Sequence, residues 1–194
     1  VSFPTKVAAV APGLSGQDVV GRYFSHLFHQ ASTPGSENIG QNVLQAIVFT
    51  PLRNSTWDRI AIQIGIQATD VNTRIRLGIY NDLNGYPSTL LLDAGEVDCR
   101  PAGLKSLNIS QQLVGGKRYW LAAICNMTPA LSAGVPYCYP YTAYEFGSST
   151  AIGFGMYHRV YVAQAYGPLP ANFPGGGTYE NKVYAIGLRL ASIP

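Results

Sequence analysis

A chain of 194 residues, nearly half of them apolar and only 12% charged, can bury one large core without metal or disulfide staples, and it leaves much neutral surface suited to self-association. The formal net charge is +3, yet the basic residues are scattered singly apart from Arg74/Arg76 and Lys117/Arg118. No cationic stripe tracks a phosphate backbone, and no run approaches the roughly 18 apolar residues of a membrane span, so nucleic acid and membrane insertion are both argued against.

Residues 1–20 show no sustained period, and their Pro, Gly and small residues read as an extended lead-in that needs another surface to become ordered. VSFPTKVAAVAPGLSG has too short an apolar centre for a signal peptide, and Val1 in place of an initiator Met reads as a processed chain or a fragment. A single domain is then expected over residues 21–194. The spacing of GRYFSHLFH, Gly21 to His29, fits either one helical turn or an edge strand, of which the strand is favoured; QASTPGSENIGQN reads as a polar loop, and VLQAIVFTP, Val43 to Pro51, as a short buried strand stopped by proline.

From Trp57 to Asp98 the pattern is strongest. Ile60, Ile62, Ile64 and Ile66 recur at every second position, as do Ile75, Leu77 and Ile79, and a period of two places each set on one face of a pleated strand. Between them QATDVNT supplies turn-forming Asp, Asn and Thr, which predicts an antiparallel hairpin with a long loop. A further apolar run, Thr89 to Leu92, follows the turn-forming NDLNGYP. Leu107 and Ile109 then alternate, Gly115-Gly116 makes a tight reversal, and Tyr119 to Cys125 is apolar on both faces, as a deeply buried central strand would be. Met127 to Tyr166 is rich in Pro, Gly, Ser and aromatic residues and reads as loops with one or two short strands. Tyr184, Ile186, Leu188 and Leu190 alternate through a closing strand. Strands about every 10 to 15 residues, with turn signals between them and almost no helical period, predict an all-β protein: an antiparallel β-sandwich, jelly-roll-like.

The chemistry is sparse. Asp82-Leu83-Asn84-Gly85 begins like a calcium loop, but Pro87 stands where the sharp glycine turn is needed and Tyr86 replaces an oxygen ligand, so a strand-connecting turn is expected. Asp82 and Asn84 remain candidates to hydrogen-bond sugar hydroxyls from an exposed tip. His26 and His29 have no carboxylate or third His at a metal-ligand spacing, and no cofactor is implied. Cys99, Cys125 and Cys138 are odd in number and widely spaced, which favours reduced thiols over a Cys125–Cys138 bridge. No GxSxG surrounds a serine and no acidic pair stands out, so an enzyme is not expected. The unusual surface element is VPYCYPYTAYEF, Val135 to Phe146. Tyr137, Tyr139 and Tyr141, with Tyr144 beyond them, offer flat rings and hydroxyls from a proline-stiffened stretch, suited either to a subunit interface or to a receptor contact.

The order of motifs, a tyrosine-bearing opening near Gly21, FTP…TWDRIAIQI, RIRLGIYNDLNGYPSTLLLDAGEVD, LNISQQLVGGKRYWLAAI and YGPLPANFPGGGTYENKVYAIGLRL, resembles a β-sandwich domain of tail-fibre and fibre-like proteins of tailed bacteriophages and prophages, from about Gly21 to Leu190. The resemblance implies a virion appendage component, usually a homotrimer, that attaches the particle to a host surface glycan or protein. It is matched least over Met127 to Tyr166, and it carries no binding residue of its own. Other virion proteins would be met through the N-terminal segment. The alternative is a carbohydrate-binding module of a secreted glycan-degrading enzyme; a third possibility, an enzyme, would require a close carboxylate pair in a cleft.

Overall fold

The computed structural model describes residues 19–25, 35–126, 134–138, 159–180 and 183–194, with the backbone alone for 35–38, 134–138 and 183. The described residues form strands and no helix: β1 (Tyr23–Phe24), β2 (Gly35–Asn38), β3 (Val43–Phe49), β4 (Ser55–Ile64), β5 (Arg74–Leu83), β6 (Tyr86–Asp98), β7 (Gly103–Leu113), β8 (Tyr119–Cys125), β9 (Gly134–Cys138), β10 (Arg159–Ala163), β11 (Thr178–Glu180), β12 (Val183–Tyr184) and β13 (Ile186–Ser192). Two large antiparallel sheets, ordered β1-β13-β4-β7 and β11-β10-β3-β8-β5-β6, pack face to face, and a small third sheet is ordered β12-β9-β2.

The core between the large sheets follows from the period of two. Ile60, Ile62 and Ile64 of β4 and Ile186, Leu188 and Leu190 of β13 meet Ile75, Leu77 and Ile79 of β5 and Leu121 and Ala123 of β8, each strand giving one apolar face. Trp57 closes this layer, edge-on to Phe24 and Phe49 with ring centroids 6.1 and 5.2 Å away.

The hairpin expected between the two isoleucine-rich strands is not formed. β4 pairs with β13 and β7, whereas β5 pairs with β8 and β6, so residues 65–73 arch from one sheet to the other. Side by side, the two apolar stripes would have needed a further layer to cover them; facing each other, they bury one another. Ile66, which continues the alternation, lies beyond the end of β4 and is 57% exposed. The true hairpin is β5–β6. Asn84 and Gly85 both take positive φ, 54° and 84°, with Leu83 opposite Tyr86, the two-residue type I′ turn whose twist suits the flanking strands.

β8 is buried along its whole length, as its sequence predicts. Its outward residues Trp120, Ala122 and Ile124 join Leu44, Ala46, Val48, Tyr80 and Val160 in a second core on the far side of the six-stranded sheet. That core is covered by residues 164–177, a strap with no periodicity to announce it. The Tyr80 hydroxyl donates to the Pro170 carbonyl (2.9 Å) and the Tyr86 hydroxyl to that of Pro174 (2.7 Å). The strap also pairs with the edge of β6, through Leu90 N–H to the Ala171 carbonyl and Phe173 N–H to that of Ser88, both 2.8 Å. Leu169 and Phe173 are 5% and 6% exposed, and burying side chains of this size stabilises the fold by about 2 kcal/mol each.

Candidate functional site

The candidate site is the end of the sandwich where several connections meet. In the β4–β5 arch the Asp70 carboxylate accepts the Asn72 N–H at 2.8 Å, and the Asp70 carbonyl accepts the Thr73 N–H at 3.2 Å. This is the local competition for backbone groups that Asp and Asn win in turns. Asn126, leaving β8, clamps the arch: its Oδ1 accepts the Arg74 N–H at 2.8 Å and its Nδ2 donates to the Asn72 carbonyl at 3.0 Å. The β6–β7 turn is tied on through Cys99, whose N–H donates to the Thr73 carbonyl and whose carbonyl accepts the Ala68 N–H, at 3.2 and 3.3 Å. Asn42, before β3, joins them by donating its N–H to the Cys125 carbonyl at 3.1 Å.

Between the arch and the β6–β7 turn lies an open cavity of about 340 Å³, lined by Gln67, Val71, Asp98, Arg100 and Pro101. Its polar wall is an amide, a carboxylate and a guanidinium; its apolar wall is Val71, 59% exposed, with Pro101. Asp98 is oriented by the Arg100 N–H (2.9 Å) and by Arg74 Nη1 (3.3 Å). Such a surface can hold a small polar group against an apolar one by hydrogen bonding. Cys99, in the β6–β7 turn beside it, is buried, and that burial pushes its thiol up to about 12. Among the described residues no three His, Cys, Asp or Glu side chains group to hold a metal ion.

The structure separates the candidates named from the sequence. Tyr137 lies in β9, with its backbone opposite Gly35 of β2 and Tyr184 of β12. β12 leads straight into β13, and the Ala185 carbonyl accepts the Gln63 N–H at 2.9 Å, so this small sheet belongs to the same end as the arch. The side chain of Tyr137, and all of Tyr139, Tyr141 and Tyr144, lie outside the described residues, as do His26 and His29. Asp82 and Asn84 stand at the opposite end of β5, a strand about 30 Å long at its usual rise. The Asp82 carboxylate is engaged by the fold: Oδ1 accepts the Trp120 indole N–H at 2.8 Å and Oδ2 the Gly85 N–H at 3.1 Å, with Arg118 at 3.8 Å. Asn84 is the exposed member of the pair. Cys99 and Cys125 are buried thiols, and Cys138 is in β9, whose side chains are not described.

Gln67, Val71, Arg100 and Pro101 were not legible as a site, because they come from two connections that only the crossing of the sheets brings together. The one local signal was the large apolar pair Ile66 and Val71 in a connection otherwise of small and polar residues. Compared with known proteins, the chain matches no family model, no curated protein and no solved structure.

Proposed function

We propose that this chain is a domain of a fibre-like appendage of a tailed bacteriophage or prophage virion, which assembles as a homotrimer and attaches the particle to a host-surface glycan or protein by binding, without chemistry. The observation that carries the reading is the gathering, at one end of a rigid double sheet, of the 65–73 and 99–102 connections around a mixed polar and apolar cavity, beside the small sheet that holds Tyr137. The jelly-roll reading is supported by the strand order: β1-β13-β4-β7 faces β3-β8-β5-β6, so that the chain changes sheet at most connections, and β10 and β11 extend the second sheet. The motif order running from Gly21 to Leu190 supports the appendage role, and the low charge density suits burial between subunits. The N-terminal residues then join the domain to other virion proteins.

The test is the solution mass of the purified chain by light scattering, together with binding of the labelled protein to a panel of bacterial strains. A trimer that marks some strains and loses at least about tenfold in binding when Val71→Ser and Arg100→Ala are combined is the expected result. A monomer that marks none overturns the proposal.

A further inference from the structure

A second cavity, of about 500 Å³, lies at the other end of the four-stranded sheet, where three neighbouring strands present a row of uncharged polar side chains. Ser192 of β13 stands opposite Thr56 of β4, and Thr56 opposite Gln112 of β7; partners across a ladder share a face. Asn54, Val114 and Pro194 complete the walls, Val114 with 55% of its surface exposed, and none of the described lining side chains is ionisable.

The walls are fixed before any ligand arrives. Asn54 Oδ1 accepts the Gly115 N–H at 2.9 Å, the Pro51 carbonyl accepts the Gly116 N–H at 2.7 Å, and the Tyr119 hydroxyl accepts the Val114 N–H at 3.0 Å. Gly115 is required here, since a Cβ would stand 2.5 Å from Arg53 Cα. A groove whose walls are held by hydrogen bonds within the fold does not have to be ordered on binding, which removes one of the costs of association.

We propose that this groove binds an uncharged saccharide. Hydroxyl and amide groups exchange hydrogen bonds with sugar hydroxyls as readily as with water, but none of these side chains offers a charged ligand a counter-charge. The row spans three strands, about 10 Å at the usual inter-strand spacing, the length of two sugar rings. Val114 and Pro194 supply apolar surface for the C–H faces of the rings, and the volume lies within the range of small-molecule sites. The inference rests on the attachment reading for the source of the sugar, a host-surface glycan; the groove itself rests on its geometry.

The test uses the full chain, isotope-labelled, titrated with neutral disaccharides of glucose, galactose and N-acetylglucosamine, with N-acetylneuraminic acid as the charged comparison, while amide shifts are followed by NMR. Saturable shifts at Thr56, Gln112, Val114 and Ser192 with a neutral sugar are expected. Gln112→Ala and the shape-conserving Thr56→Val should each weaken that binding about fivefold, the loss of one hydrogen bond, with the fold confirmed by the unchanged remainder of the spectrum. The proposal is overturned by the absence of saturable shifts in the groove with every neutral sugar up to roughly 20 mM, by preference for the charged sugar, or by shifts confined to the 65–73 and 99–102 connections. The last result would leave attachment standing while removing this site. Groove binding by a chain that marks no bacterial strain would instead uphold the site and remove attachment.

Discussion

Trp120 donates its indole N–H to Asp82 across 2.8 Å, and the same carboxylate accepts the Gly85 N–H at 3.1 Å. One side chain thereby satisfies a fully buried indole and caps the β5–β6 turn, joining the outer core to the hairpin that limits it.

Replacing Asp82 should therefore act on stability. Asp82→Ala removes the carboxylate to which the buried indole N–H donates and should lower the unfolding free energy by about 2 kcal/mol, whereas Asp82→Asn, whose amide oxygen still accepts, should recover part of the loss. Urea unfolding followed by tryptophan fluorescence checks this; a midpoint unchanged in Asp82→Ala would show that the indole bond contributes nothing.

The strap over the outer core depends on a missing side chain. A Cβ on Gly78 would collide with Leu169 Cδ1 and stand 2.5 Å from the Leu92 carbonyl oxygen. Gly78→Ala should cost about 1 to 3 kcal/mol by overpacking. Leu169→Ala in the same chain should relieve only the side-chain part, because the Leu92 oxygen is backbone. Hydrogen exchange should show the penalty as faster opening of the Leu90 and Phe173 amides, which hold the strap; equal protection in variant and parent would refute this account.

On the outer face of the four-stranded sheet Arg189 makes a two-pronged pair with Asp58, at 2.9 and 2.6 Å. The Arg189 hydrogen bonds above all hold the Asp58 carboxyl below its ordinary value of 3.8. The folded state thus keeps this carboxylate ionised where the unfolded chain takes up a proton. Its contribution is fully present above the ordinary value and is lost as pH falls through the lowered one. Thermal unfolding between pH 5 and pH 2 should be less steeply acid-dependent in Asp58→Asn than in the parent, and parallel curves would contradict the pairing.

Cys99 titrates in the other sense. Burial pushes its thiol to about 12, against about 8.5 in an unfolded chain, so the contribution of the protonated thiol is complete below the unfolded value and is lost as pH rises toward the folded one. At pH 8 the native protein should be alkylated at Cys99 at least about 100-fold more slowly than the protein in denaturant, as read by mass spectrometry of the peptide. Rapid native labelling would mean that the site opens to solvent.

Much of the fold is legible in single residues. The alternation of Ile75, Leu77 and Ile79 and of Ile186, Leu188 and Leu190 marks strands and their buried faces, the double-sided run Tyr119 to Cys125 marks a strand covered on both sides, and Asn84-Gly85 marks the hairpin turn. The candidate site was less legible. Asp82 looked available because a sequence does not show that Trp120 will arrive beside it, and Gln67 and Arg100 looked unrelated because their connections are far apart along the chain.

By itself, then, the sequence determined the strongly periodic strands, the apolar face of each, and that the strand Tyr119 to Cys125 is buried on both sides, since a period of two and β-branched composition are local properties of the chain; it did not mark β2, which lies inside the stretch read as a polar loop. Only the tertiary structure decided which strands pair. An apolar stripe can be buried equally well beside a neighbour or across from one, and the choice to face Ile60 to Ile64 against Ile75 to Ile79 is made by the whole set of strands competing for hydrogen-bond partners. The same competition turned residues 164–177, which carry no period, into the cover of a second core, and brought Gln67 and Arg100 to one cavity while carrying Asn84 to the far end.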